Sequence, residues 1–280
     1  MFWGWVACAI LFLRNTILPR LSLTVSPSQF GLPGDIVRFH ATDGVPLEGW
    51  KIPGAPDQPW IIGCHGMGSN RADLLEIASG LHQAGLNVFL FDFRGHGGSR
   101  GRTTSFGLTE QRDLHGALAF LGRQPDVPAR PYGVYGISMG GAVGLIVAAQ
   151  DQRLGAVAAD SPYSNLEASI SRHLGLMYPW LPAIPFQWFT ASAYRMRFGC
   201  WPRQVSPASS MARLNRPLLL IQGGRDPRMP VRETKAMFAS AASPKDLWVV
   251  EQAGHLESYA TDPNTYQRKL TKFFTANLTE

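Results

Sequence analysis

The chain has 280 residues, 45% of them hydrophobic and 16% charged, a balance that suits one globular core with an insertion and argues against a disordered chain. Its net charge of +6 comes from dispersed arginines with no basic block interleaved with aromatics, which reads as mild attraction to an anionic surface such as a membrane leaflet rather than as a nucleic-acid footprint. The three cysteines, Cys8, Cys64 and Cys200, are too few and too scattered for a disulfide framework or a zinc site, and are expected to be reduced and mostly buried.

Residues 1–13 form a strongly apolar run that meets Arg14 and then Arg20. The run is shorter than the roughly 20 residues of a spanning helix. It also lacks the basic start and small-residue cleavage site of a secretory signal. Trp3 and Trp5 suit a membrane interface, and the arginines that follow favour a main domain on the cytoplasmic side. Residues 1–18 therefore read as a short membrane anchor, with a helix packed on the domain as the alternative, and residues 1–34 as anchor and linker.

From Asp35 the chain reads as strands. Ile36–Ala41 and Pro46–Ile52 alternate with period two around Asp43-Gly44, a hairpin signal. Trp60–Cys64 is continuously apolar, as a strand covered on both faces should be. It ends in His65-Gly66-Met67-Gly68-Ser69-Asn70, where Ser69 or Asn70 can cap a helix that runs to about Ala84 and stops at Gly85. The strand Val88–Phe91 leads into the glycine-rich turn Asp92–Ser99, and a helix from about Thr109 to Leu121 returns the chain to a strand at Tyr132–Tyr135. The small-residue helix Gly141–Ala149 and the buried strand Ala156–Asp160 follow. Strands alternating with amphipathic helices predict a mostly parallel sheet with helices on both faces.

Between Ser161 and Arg216 the alternation breaks. Two helical stretches, Asn165–Met177 and Phe186–Phe198, are joined by the proline-rich Pro179–Pro185, and the segment carries Tyr178, Trp180, Phe186, Trp188, Phe189, Tyr194 and Trp201. Aromatics at helical spacing usually mean packing. An insertion over the carboxyl ends of the strands can also roof a pocket and give it apolar walls. The sheet pattern resumes with Pro217–Gln222, a helix over Val231–Ser240, the strand Leu247–Val250 and a closing helix from about Asn264 to Ala276.

The polar side chain at the junction of the Tyr132 strand and its helix is Ser138, within Gly136-Ile137-Ser138-Met139-Gly140. This matches the G-x-S-x-G nucleophile elbow, whose glycines let strand and helix approach closely enough to hold the serine in a strained, exposed turn. Alone it reads equally as a serine near a helix start beside packing glycines. A serine hydroxyl needs a base within hydrogen-bond reach, itself oriented by an acid. Such groups collect beyond the carboxyl ends of parallel strands. Two later strands end that way, with Asp226 in Gly223–Pro230 and His255 in Gln252–Leu256, and the order Ser138, Asp226, His255 is nucleophile, acid, base. Asp160, at another strand end, is the second candidate acid. Asp92, His65 and His96 sit in turns and read as structural, and His40, His115, His173 and Asp246 have no supporting context. The sequence holds no His-x-x-x-His, no carboxylate cluster and no G-x-G-x-x-G after the first parallel strand, so neither metal nor cofactor is expected.

Together, Asp43-Gly44, His65-Gly66, Asp92-Phe93-Arg94-Gly95-His96-Gly97-Gly98-Ser99, the elbow, Asp160-Ser161-Pro162-Tyr163, Gly224-Arg225-Asp226 and Gly254-His255 carry a family resemblance. From about Asp35 to its end the chain resembles the α/β-hydrolases, and within them the ABHD-like and serine-aminopeptidase-like hydrolases. The resemblance implies an α/β-hydrolase domain over residues 35–280 with a helical lid at about 161–216. It also implies that Ser138 attacks an acyl carbonyl, that His255 is general base and then acid, and that Asp226 fixes its tautomer. The backbone N–H groups of Met139 and Met67 would bind the oxyanion. A serine at the elbow excludes the branch with an aspartate nucleophile. The expected substrate is a small-molecule or lipid acyl ester or thioester, and no nucleic acid. Serine peptidase activity is the alternative, for which the insertion offers one carboxylate, Glu167. A non-catalytic binding module is the other, and no triad member is missing in the way that reading would require.

Overall fold

The computed structural model describes residues 16, 20–180, 183–242 and 244–279. The expected anchor over residues 1–18, Thr16 apart, lies outside the described residues, as does Cys8. Among the described residues no helix is long and apolar enough to cross a membrane.

Eight strands form one sheet among the described residues: β1 (Asp35–His40), β2 (Pro46–Ile52), β3 (Trp60–Cys64), β4 (Asn87–Phe91), β5 (Tyr132–Ile137), β6 (Leu154–Asp160), β7 (Leu218–Gly223) and β8 (Lys245–Val250). Their order across the sheet is β1-β2-β4-β3-β5-β6-β7-β8. The short turn after β1, with Gly44 at φ +85°, can only return the chain antiparallel, and Phe39 faces Leu47 across the hairpin. β2 is also antiparallel to β4, whereas every pair from β4 to β8 is parallel. Parallel neighbours need crossovers, and helices supply most of them. In chain order the helices are α1 (Leu75–Gln83), α2 (Glu110–Leu121), α3 (Met139–Ala148), α4 (Leu166–Met177), α5 (Ala183–Phe198), α6 (Val231–Ser240), α7 (Ser258–Thr261) and α8 (Pro263–Leu278).

Side chains alternate along a strand, so the sheet builds two cores. Phe89 and Phe91 of β4 pack on one face with Phe39, Leu114 of α2, Val143 of α3 and Met237 of α6. Val88 and Leu90 pack on the other with Leu75 and Ile77 of α1 and Tyr266, Leu270 and Phe274 of α8. All five residues of β3 are buried, the pattern expected of a strand covered on both faces. Each fully buried large apolar side chain here is worth about 1.5–3 kcal/mol. A third, smaller cluster attaches the 161–216 insertion: Ala142 and Ile146 of α3 meet Tyr163, Leu166, Ala193, Tyr194, Val205 and Met229.

Several boundaries differ from the sequence expectation, each for a local reason. The helix after the elbow starts at Met139 rather than Gly141, and β5 runs on to Ile137, so a single residue separates them. The helix expected from Asn70 opens as a tighter turn over Arg71–Leu74, with the Asn70 side chain accepting the Ala72 N–H at 2.9 Å. α5 begins at Ala183, within the proline-rich linker, because a proline in a first helical turn costs no intrahelical hydrogen bond. Cys64 is buried, whereas Cys200 is only half-buried, and both are free thiols.

Candidate functional site

Ser138 lies between β5 and α3 with φ +49° and ψ −115°, a conformation that costs a non-glycine residue on the order of 1–3 kcal/mol. Its surroundings hold it there. The Ser138 N–H donates to the Asp160 carbonyl at the end of β6 (2.8 Å), and its carbonyl accepts the Ala142 N–H (3.0 Å). The flanking glycines are steric requirements: a Cβ on Gly136 would overlap the backbone of Gly140 and Gly141, and one on Gly140 would overlap the Cys64 carbonyl in β3.

The loops after β7 and β8 bring the expected partners to this serine. His255 Nε2 is 3.2 Å from Ser138 Oγ, and His255 Nδ1 is 2.6 Å from Asp226 Oδ2. Asp226 Oδ1 accepts the N–H groups of Arg228 (2.8 Å) and Met229 (2.9 Å), and Gln222 Nε2 donates to Oδ2 at 3.3 Å. Burial pushes the Asp226 carboxyl up, but the His255 hydrogen bond and charge and the two backbone donors outweigh it and hold the group below its ordinary value. An ionised Asp226 can only accept, so Nδ1–H donates to it and the Nε2 lone pair faces the serine hydroxyl. The two loops are stitched together by Gly224 N–H to Val250 O (2.8 Å) and Arg225 N–H to Ala253 O (2.9 Å).

The remaining candidates go elsewhere. Asp160 is buried and its carboxylate accepts Ser161 Oγ and the Tyr266 hydroxyl, each at 2.8 Å; the Tyr266 hydroxyl is also 2.7 Å from that of Tyr135. Burial pushes Asp160 up to about 6, with the Ser161 and Tyr266 hydrogen bonds pulling back. Asp92 binds the Arg71 guanidinium (2.6 Å), the Arg71 N–H and the Gly98 N–H (both 2.7 Å). His65 uses both ring nitrogens, Nδ1 on the Gly66 carbonyl (2.6 Å) and Nε2 on the Phe93 N–H (3.0 Å), and burial pushes it down to about 3. His96 Nε2 accepts the Gly68 N–H (3.1 Å) and Nδ1 meets the Arg94 carbonyl (2.9 Å), which braces the turn that carries Met67.

That turn lies against the serine, since a Cβ on Gly66 would sit 3.7 Å from the Ser138 Cβ. Among the described residues the Met67 N–H donates to no protein group, nor does that of Met139 at the start of α3, where the helix dipole favours negative charge. No group of three or more His, Cys, Asp or Glu side chains among the described residues could hold a metal.

One connection had no signal in the sequence. Arg172 of α4 donates to the Arg228 carbonyl (2.8 Å) and pairs with Glu233 of α6, whose other oxygen accepts Ser164 Oγ (2.6 Å). Ser169 Oγ also meets Met229 Sδ at 3.9 Å. The insertion helix is thereby tied to the loop that holds Asp226. His173, one position on, is pushed down by burial and then by the charges of Arg228 and His255, as befits a residue of α4 beside those loops.

Residues 55–199 match the model of the family described as serine aminopeptidase, S33. The Mycobacterium tuberculosis protein Rv2307c, described as uncharacterized, is 31% identical over 264 residues, covering 94% of this chain and 86% of its own. The α/β-hydrolase domain-containing protein WAV2 of Arabidopsis thaliana is 26% identical over 274 residues, covering 92% and 84%. Among solved structures the Pyrococcus furiosus esterase Pf2001 superposes with a TM-score of 0.80 at 26% identity, over 93% of this chain and 97% of the esterase.

Proposed function

The chain belongs to the serine aminopeptidase S33 family of α/β-hydrolases, and from that premise we propose that it cleaves the carboxylic ester or thioester bond of an acyl substrate, using Ser138, His255 and Asp226 as a catalytic triad. The observation that carries the reading is the continuous hydrogen-bonded line from Ser138 Oγ through His255 to Asp226, 3.2 Å and 2.6 Å long.

In the proposed reaction Ser138 Oγ attacks the acyl carbonyl while its proton passes to His255 Nε2. Asp226 keeps the imidazole in the required tautomer and stabilises the imidazolium that forms. The negative oxygen of the tetrahedral intermediate is met by the N–H groups of Met139 and Met67, donors already oriented before charge develops. Collapse expels an alcohol or thiol, protonated by His255, and leaves an acyl-serine. Water, deprotonated by the same nitrogen, then releases the acid and restores the serine.

The likeness to the esterase Pf2001 supports an ester over an amide. The 161–216 insertion would serve as a lid, since α4 is tied beside the acid and base loops. A peptidase reading has one observation in its favour: Glu167 Oε2 is buried without a hydrogen-bond partner and could receive a substrate ammonium. The deciding experiment is labelling by a fluorophosphonate probe together with turnover of nitrophenyl esters of graded acyl length and of an aminoacyl nitroanilide. Labelling and ester turnover that vanish in Ser138→Ala support the esterase. Nitroanilide turnover lost in Glu167→Gln would favour the peptidase, and absence of labelling in folded protein would end both readings.

A further inference from the structure

The insertion between β6 and β7 holds most of the chain's excess charge and, among the described residues, most of the large apolar side chains that are exposed. Residues 161–216 contain six arginines, Arg172, Arg195, Arg197, Arg203, Arg213 and Arg216, against a single acid, Glu167, in a chain whose net charge is +6. In the rest of the chain acids and bases nearly cancel. Of the eight large hydrophobic side chains exposed among the described residues, five are in this segment: Leu176 (50% exposed), Met177 (46%), Trp180 (73%), Trp188 (60%) and Met196 (80%).

These side chains follow the course of a helical hairpin. Leu176 and Met177 end α4, Trp180 follows it, and Trp188 and Met196 stand on α5 about two turns apart. The exposed Arg195 and Arg197 flank Met196. Arg195 and Arg203 stack on Trp201 at 4.9 and 5.5 Å, which gathers positive charge at the same end of α5. Single exposed apolar residues need no explanation, but two tryptophans and three long aliphatic side chains on one cationic hairpin do. Tryptophan is favoured at the boundary between apolar and aqueous phases, and arginine beside lipid phosphates. A bilayer surface accepts both at once without demanding a matched shape.

We propose that this hairpin is a docking surface for a bilayer rich in anionic lipid, with the exposed side of α5 lying in the headgroup layer. Docking would place the membrane next to α4, the helix that Arg172 ties to the acid loop, so that an acyl substrate could pass from lipid to serine. The docking surface itself does not depend on the catalytic assignment.

The test is co-sedimentation of the full chain, in a Ser138→Ala background that removes turnover, with vesicles of phosphatidylcholine alone or mixed with phosphatidylglycerol. Binding is expected to be stronger on the anionic vesicles and to fall with added salt. Arg195→Gln with Arg197→Gln should weaken partition onto anionic vesicles about thirtyfold. Trp180→Ser with Met196→Ser should weaken it about tenfold on either vesicle. Both pairs are solvent-exposed, and unchanged thermal unfolding shows that the fold is retained. Absence of vesicle binding would overturn the proposal. So would binding by both variants as strong as that of the parent chain, which would assign the affinity to residues 1–13, and so would a change in oligomeric state in place of a change in partition, which would make the hairpin a self-interface. Loss of ester hydrolysis in the protein with Ser138 intact would count against the catalytic reading alone and leave the partition result standing.

Discussion

Two helices that join the loops of the candidate site are seated in opposite ways. α3, which follows Ser138, buries all ten of its residues, whereas α4 of the insertion buries only Leu166 among twelve. The floor of the site is held by backbone: the Ser138 N–H on Asp160, glycines with no room for a Cβ, and two loops stitched by main-chain hydrogen bonds. The insertion, the proposed roof, is held to the domain chiefly by side chains: the Arg172 strap, the Tyr194 hydroxyl on the Ser105 carbonyl (2.9 Å) and the Tyr163 hydroxyl on the Phe106 carbonyl (2.7 Å). Close packing leaves the floor few alternatives, while a helix with one buried residue can shift at small cost. The groups proposed to do the chemistry are therefore over-determined, and the element proposed to control access is not.

Substitutions in the two regions should differ accordingly. Ser138→Ala, in the floor, is expected to lower kcat by about a millionfold and to abolish phosphonate labelling, as single-turnover kinetics would measure. Asp226→Asn leaves the shape intact but offers His255 the wrong hydrogen-bonding partner, and kcat should fall about ten-thousandfold. Asp160 supplies a stability test of the same floor. Its pKa is raised from 3.8 to about 6 by burial, so between those values the folded state binds more protons than the unfolded state, and stability falls as pH rises through that window. The contribution is on the order of 3 kcal/mol, read as the difference between the native chain and Asp160→Asn in urea unfolding at the two ends of the window, where the variant should lack that share of the slope. The smallest effect belongs to the roof. Arg172→Gln breaks a partly buried strap and should lower kcat/KM for a soluble ester about fivefold to tenfold, with part restored by Arg172→Lys. If Arg172→Gln cost as much as Asp226→Asn, the division between floor and roof would fail.

Much of the floor was legible along the chain because its signals are local. Period-two alternation gives β1 and β2, an unbroken apolar run gives β3, and glycines two residues either side of Ser138 announce a tight strand-to-helix turn. The boundaries near Ser138 were less legible. Ser138 is the one residue between β5 and α3 because glycine backbones touch there, and that contact is visible only when both elements are in place. The roof was the least legible. Its aromatics share one composition yet have different fates, with Tyr194 buried and Trp180 and Trp188 exposed. Helical spacing alone does not say which side of α5 meets α3.

By itself, then, the sequence determined the strand order along the chain, the elbow and a short roster of acids and bases, because each is written in residues that are neighbours in the chain. Tertiary structure decided which acid lies against His255. Asp160 and Asp226 both end strands, but Asp160 points toward Tyr266, while Asp226 meets the imidazole at 2.6 Å. It also decided the Arg172–Glu233 tie, across 61 positions, and the Ser138–His255 contact, across 117. Side-chain direction at a strand end follows from pleat and neighbouring layers, and contacts between distant positions follow from the crossovers that set sheet order; neither is carried by any local run of residues.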